Sequence, residues 1–159
     1  MTNDLTARTC LWFNDQALPA AEFYCSILPD SRIEKVSHYP EGQEMAEQGS
    51  VMVVAFTLAG TPYLALNGGS HFVLDEAVSI AIETRDQAET DRLWAALADG
   101  GGREGRCGWL KDRFGLSWQV VPRRAVELLD GPASTQVWRA LMTMDRIVIA
   151  ELETAARGS

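Results

Sequence analysis

The sequence is short of the residues on which secretion, membrane insertion and metal chemistry rest. Its 159 residues include three cysteines, Cys10, Cys25 and Cys107, odd in number and widely spaced. No disulfide framework can be read from them, and they fit free thiols in a reducing cytoplasm. Only two histidines occur, His38 and His71. The longest clean apolar run, residues 51–56, is far too short to cross a bilayer, so no membrane span is expected. The polar opening, residues 1–8, lacks the apolar stretch of a secretory signal, which again points to the cytoplasm. Positive charge is in deficit too. The 14 Lys and Arg face 22 Asp and Glu, for a net charge of −8. That balance disfavours nucleic-acid phosphates and anionic membranes as partners. One local basic cluster, Arg103, Arg106, Lys111 and Arg113, is diluted by Glu104 and Asp112 and reads as a solvated hairpin.

What the chain does have is enough apolar residues for a full core, 47%, and an internal repeat. An apolar run at residues 10–13 meets Asn14-Asp15, and Phe23-Tyr24 follows in a helix-like stretch. A second apolar run, residues 77–82, leads to Arg85-Asp86, and Leu93-Trp94 follows in the same way. Each copy closes on strand-like segments around a Gly and an aromatic, residues 60–63 and 115–118. The period of about 70 residues is too long for a solenoid, and two copies are too few for a propeller. It predicts two similar modules, about residues 7–67 and 77–122, within a single domain spanning 1–159. A ligand cleft is expected between them.

Residues 9–13 read as a strand, with Asn14-Asp15 as stop and cap. Apolar residues at 20, 21, 23, 24, 27 and 28 have helical spacing, with Pro19 in the first turn. Residues 32–39 read as a strand. Residues 40–49 are polar and predict a mobile loop, a candidate lid. Residues 50–58 and 62–67 read as a hairpin. In the second copy, residues 77–84 form a strand, Asp86 caps a helix over 87–98, and Gly100-Gly101-Gly102 ends it. A short strand over 103–107, an exposed loop over 108–113 and a buried closing strand over 116–121 follow. The order β-α-β-β-β, twice, specifies an α+β fold with a curved mixed sheet and a central cleft. A tail over 123–156 has helical apolar spacing, with Ser134 able to cap its second helix. Helices this apolar need a surface to cover, either this subunit's own or a partner's.

Several segments carry a family resemblance: Cys10-Leu-Trp-Phe-Asn-Asp, Ala20-Ala-Glu-Phe-Tyr, Phe56-Thr-Leu-Ala-Gly, Tyr63-Leu-Ala-Leu-Asn-Gly-Gly and Gly105-Arg-Cys-Gly-Trp-Leu-Lys-Asp-Arg-Phe-Gly-Leu-Ser-Trp-Gln-Val-Val-Pro. Together they resemble the PhnB-like branch of the vicinal oxygen chelate superfamily, which covers glyoxalases, bleomycin-resistance proteins and extradiol dioxygenases. That branch also bears the label 3-demethylubiquinone-9 3-methyltransferase-like. The resemblance runs from about residue 7 to 156. It implies paired β-α-β-β-β modules, a U-shaped cleft and a homodimer. In many members it also implies a divalent metal held by His and Glu from four strands.

The residues do not supply that metal site. Such a metal needs imidazole, thiolate or carboxylate donors converging on one point. The first strand offers only Cys10, and residues 62–67 offer neither carboxylate nor imidazole. Ser79 stands where the superfamily pattern puts His, and Gln119 where it puts Glu. The glyoxalase and dioxygenase readings lose their Lewis acid. The methyltransferase label finds no Gly-rich turn leading from a strand into a helix, since Gly100-Gly101-Gly102 follows a helix. No metal and no cofactor are expected.

Strand parity sends Cys10 and Trp12 to the cleft if Leu11 and Phe13 pack under helices. Ser117 and Gln119 face it likewise, with Ser79 beside them and Asn67 at a strand end. Trp109 either caps a ligand or packs against a dimer partner, and Trp12 and Cys10 have a core reading as well. The expected ligand-binding set is therefore Cys10, Trp12, Asn67, Ser79, Trp109 and Gln119, an apolar wall with a few polar groups. Neither Cys10 nor Cys107 has a histidine in view to make thiolate, and no catalytic residue is assigned. Two functions stay open. One is metal-independent binding of a small hydrophobic or aromatic molecule. The other is a small-molecule enzyme of methyltransferase, lyase or other transferase chemistry.

Overall fold

The computed structural model describes residues 6–158, and these divide between Leu74 and Asp75 into two compact units. The first unit runs β1 (Thr9–Phe13), α1 (Ala17–Ile27), β2 (Arg32–His38), β3 (Val51–Leu58) and β4 (Thr61–Asn67). Its strands lie in the order β1-β4-β3-β2, with β1 parallel to β4 and the remaining pairs antiparallel. The second unit runs β5 (Ser79–Thr84), α2 (Gln87–Ala98), β6 (Arg103–Glu104), β7 (Trp109–Lys111) and β8 (Ser117–Pro122). Its order is β5-β8-β7-β6, again with the first pair parallel. The repeat read from the sequence is thus one topology used twice, with a separate four-stranded sheet in each unit.

Alternation along the strands decides which face each sheet buries. In β1, Leu11 and Phe13 are buried while Cys10 is exposed and Trp12 half-buried. Ala17, Ala20, Ala21 and Tyr24 of α1 are fully buried as well. In β8, Trp118 and Val120 are fully buried, and Leu93, Trp94 and Leu97 of α2 are buried with them.

Helix starts differ in how they are satisfied. Asp86 caps α2 as expected, its carboxylate accepting Glu89 N–H at 2.8 Å. Glu89 reaches back to Arg85 N–H at 2.8 Å. Asn14 and Asp15 do not cap α1. Gln16 sits at the cap position without a side-chain bond, and Asn67 of β4 supplies the missing acceptor, its Oδ1 taking Ala17 N–H at 2.8 Å. Ser134 is likewise not a cap: it is the first residue of its helix, behind Ala133.

The tail forms α3 (Arg123–Leu129), α4 (Ser134–Leu141) and α5 (Ile149–Arg157). These helices cover their own unit. Ala125, Val137, Leu141, Met144, Ile147 and Leu152 form a buried cluster against which Cys107 and Val121 pack. Gln87 of α2 fastens it, donating to Ile147 O at 3.0 Å and accepting Ile149 N–H at 2.8 Å. The backbone at Cys107 and Gly108 donates to Met144 O and Asp145 O, both at 2.8 Å.

Residues 108–113, expected as an exposed loop, contain β7 instead. Its pairing with β8 is tightened by a turn over 112–116 built on one carboxylate. Buried Asp112 accepts Phe114 N–H at 2.8 Å and Leu116 N–H at 3.1 Å on Oδ1, and Trp118 indole N–H at 2.7 Å on Oδ2.

Candidate functional site

In an antiparallel or parallel pair, residues directly opposite each other present their side chains on the same face. Ser79 lies opposite Ser117 in the β5–β8 ladder, and Lys111 opposite Ser117 and Trp109 opposite Gln119 in the β7–β8 ladder. Arg103 lies opposite Lys111 in the β6–β7 ladder. One face of the second sheet therefore carries Ser79, Ser117, Gln119, Trp109, Lys111 and Arg103. The other face carries the core residues Ile80, Leu110, Trp118 and Val120.

Four polar groups on this face, those of Ser79, Lys111, Ser117 and Gln119, are already partnered. Gln119 Nε2 donates to Ser79 Oγ at 2.9 Å, and Ser117 Oγ donates to Asp75 O at 3.3 Å. Lys111 Nζ meets Glu76 Oε1 at 2.8 Å. The Lys111 hydrogen bond, with a backbone bond and the charges of Lys111 and Arg103, holds the Glu76 carboxyl below the ordinary Glu range despite some desolvation. A cavity of about 280 Å³ opens here, lined by Glu76, Arg103, Trp109, Lys111 and Ser117 among others. An indole, an ammonium, a guanidinium and a hydroxyl around one hollow can seat a flat molecule and orient its polar end.

Of the residues picked from the sequence, Ser79, Trp109 and Gln119 come together on this face. Cys10, Trp12 and Asn67 belong to the first unit, and two of them are internal fasteners there. Trp12 donates its indole N–H to Gly69 O at 2.8 Å and meets Phe72 edge-on, with ring centroids 4.9 Å apart. Gly68 lies so close that a Cβ there would sit 2.2 Å from the Trp12 ring. Asn67, besides taking Ala17 N–H, donates to Val51 O at 3.0 Å, and its carbonyl accepts Tyr39 O–H at 2.6 Å. Cys10 is exposed, and partial desolvation raises its thiol pKa, away from nucleophilic thiolate.

A second cavity, of about 420 Å³, lies in the first unit, bounded by Leu18, Tyr39, Val51 and Asn67 and by Met45 to Glu47 of the 40–49 loop. That loop is fastened within itself: Gln43 accepts Met45 N–H and Ala46 N–H and donates to Ala46 O.

Arg103, Lys111 and Glu76 did not emerge from the sequence as site residues. The signal for the first two was present. Two basic residues flanking a Gly105–Gly108 turn between short strands become cross-strand neighbours. Glu76 follows no periodic pattern and is placed only by the path of the chain before β5.

The donor set does not fit the superfamily's divalent metal. Ser79 and Gln119 offer a hydroxyl and an amide bonded to each other. Among the described residues, no three His, Cys, Asp or Glu side chains converge as a metal would require. His38 ends β2 and His71 lies outside any strand or helix, both exposed. No helix among the described residues is long and apolar enough to cross a membrane.

Comparison with known proteins follows the same lines. The family model described as 3-demethylubiquinone-9 3-methyltransferase matches residues 6–121. The match stops where the tail begins, so the helices over 123–157 lie outside it, short of the extent the sequence resemblance suggested. A solved structure, a putative 3-demethylubiquinone-9 3-methyltransferase (PhnB protein) from Bacillus cereus, is similar at 27% identity. It covers 74% of this chain and 99% of its own, with a TM-score of 0.67. Protein PA1353 from Pseudomonas aeruginosa shares the fold at 23% identity and a TM-score of 0.62, covering 75% of this chain and 98% of its own. No curated protein matches the chain.

Proposed function

Since the chain belongs to the 3-demethylubiquinone-9 3-methyltransferase family, the PhnB-like branch of the vicinal oxygen chelate superfamily, we propose that it binds a small hydrophobic or aromatic molecule on the open face of its second sheet. The binding needs no metal. One observation carries the reading: Trp109 borders a hollow of about 280 Å³ together with Arg103, Lys111 and Ser117, so that an indole surface adjoins fixed hydrogen-bonding groups. Small-molecule sites have this make-up, a mostly apolar wall with a few placed polar groups. Among the named residues of this face, Ser79 and Gln119 are bonded to each other, and the charged pair Lys111–Glu76 is salt-bridged, so no acid and base stand poised at a shared reacting atom. Binding is therefore favoured over catalysis. The expected assembly is a homodimer, with exposed Val126, Trp138 and Met142 of the tail region as the apolar contact to a second copy. Light scattering on the eluting protein reads that state directly.

The test is a thermal-shift screen of aromatic metabolites, followed by titration of each hit against wild type, Trp109→Ala and Gln119→Ala. Ligands that stabilise the wild type and lose affinity in both variants support the reading. Chemical turnover of a hit, abolished by Gln119→Ala, would replace binding with catalysis.

A further inference from the structure

Three features around the second-sheet hollow bear on the charge of what it holds. Arg103 and Lys111 are direct cross-strand partners on the face that also carries Trp109. Two cations thus lie side by side next to one aromatic surface. The acid facing them is Glu76, on the segment before β5, which spans the hollow edge with Asp75 O bonded to Ser117 Oγ. The burial of the ion pair is lopsided: the Lys111 side chain is 19% exposed and that of Glu76 66%. The other acid of the rim, Glu104, is engaged elsewhere, its Oε1 accepting the Trp94 indole N–H at 2.6 Å.

A half-buried ammonium bonded to a largely exposed carboxylate is a pair whose outer member can be exchanged. Exposed ion pairs contribute little, because water competes for both ends and the long side chains lose freedom in holding one geometry. A carboxylate or phosphate on a ligand whose ring is already held by Trp109 gives Lys111 the same charge-assisted bond without that entropy cost. It would gain the Arg103 guanidinium as well. We propose that the hollow takes an anionic aromatic molecule, whose carboxylate or phosphate displaces Glu76 from Lys111 and lies between Lys111 and Arg103. Glu76 is the resident stand-in for the ligand's anionic group. The inference rests on the binding reading above and adds the ligand's charge and the residue that yields to it.

The test uses the full chain, isotope-labelled, with the Trp109 indole N–H resonance identified by Trp109→Phe. Naphthoate, naphthyl phosphate, naphthamide and naphthylmethylamine are titrated in turn. One or both anions should shift the Trp109 resonance with affinity at least about tenfold above the amide, the scale of one charge-assisted hydrogen bond. Naphthoate against naphthyl phosphate tells which anionic group is preferred. Glu76→Gln should tighten anion binding about two- to fivefold by removing the competitor, and Lys111→Gln should weaken it about tenfold. Amide or amine binding as tightly as the anions overturns the charge assignment and leaves the site standing. A Glu76→Gln variant that binds anions more weakly overturns the displacement. A Trp109 resonance unmoved by every probe overturns the site itself, and the inference with it.

Discussion

Asp112 and Trp118 are joined by a bond of 2.7 Å between a carboxylate oxygen and an indole N–H, both side chains buried. The other oxygen of Asp112 takes two backbone N–H groups of the intervening turn. One side chain thus closes the turn and anchors it to β8. Replacing Asp112 with Ala takes an acceptor from three donors at once, two of them buried. The expected loss is about 3 kcal/mol, and about 1–2 kcal/mol for Asp112→Asn, which keeps one acceptor. Denaturant unfolding of the two variants measures it. Equal midpoints for Asp112→Ala and wild type would refute the role.

That bond also explains what the sequence did and did not disclose. The stretch from Lys111 to Gln119 is distinctive because its residues build a turn: Asp112 for acceptors, Gly115 for its φ of +88°, Trp118 for the indole donor. A conspicuous motif here marks the scaffold, while the candidate site is made of less conspicuous neighbours. Strand parity correctly separated Ser117 and Gln119 from Trp118 and Val120, because side-chain alternation is fixed by the backbone. Parity could not tell that Trp12 would be taken up by Gly69 and Phe72, or Asn67 by the start of α1. Those partners lie 50 or more residues away in sequence, and only chain folding brings them together. Glu76 and Lys111 lie closer in sequence, and they too are brought together only by folding.

Asn67 offers a second test, since its side-chain amide is used on both sides. Its oxygen caps α1 at Ala17, and its nitrogen donates to Val51 O. Asn67→Asp keeps the helix-start acceptor and adds a charge that suits a helix N-terminus, but sets a carboxylate against a carbonyl. Asn67→Ala loses both bonds. The expected order of stability is wild type, then Asp, then Ala, with Ala about 2 kcal/mol down. Thermal melts rank the three. An unchanged Ala variant would refute this structural role of Asn67.

Gly108 is where the tail meets the sheet. Its φ is +83°, and a Cβ would lie 2.8 Å from Val120 O and 2.9 Å from Ile147 Cδ1. Gly108→Ala therefore meets backbone strain and a collision with the tail cluster together, a cost of about 3 kcal/mol. The damage should concentrate at the seam. Amide exchange at Cys107 and Gly108, bonded to Met144 O and Asp145 O, should accelerate more than exchange in β3 or β4. Uniform acceleration across both units would contradict this.

Glu34 gives the acid limb of stability a specific contributor. Thr57 Oγ1 donates to it at 2.6 Å, and Arg8 and Arg32 lie at 3.4 and 3.3 Å. The Thr57 bond foremost, then the two arginines, hold its carboxyl below the ordinary Glu value of 4.5 against a desolvation that opposes them. A depressed folded-state pKa means the unfolded chain takes up the proton first as pH falls. The stabilisation is therefore complete above pH 4.5 and is lost as pH falls through the lower folded-state value. Glu34→Gln should flatten the decline of melting temperature in that window and leave the neutral-pH slope alone. A variant with the wild-type acid limb would assign the decline to other carboxylates.

The donor chemistry of the second sheet makes a prediction about metal content. Nickel, zinc and iron draw on imidazole, thiolate or carboxylate, and their affinity falls when neutral oxygens replace charged ones. Ser79 and Gln119, which stand where the family resemblance puts the superfamily's His and Glu, are bonded to each other at 2.9 Å. A metal would have to break that bond and accept two weak neutral donors in exchange. Protein purified without chelator should carry far less than one nickel, zinc or iron per chain by elemental analysis, and added chelator should leave its melting temperature unchanged. A stoichiometric metal that survives dialysis would show that donors other than Ser79 and Gln119 converge, and would undo the metal-independent reading of this site.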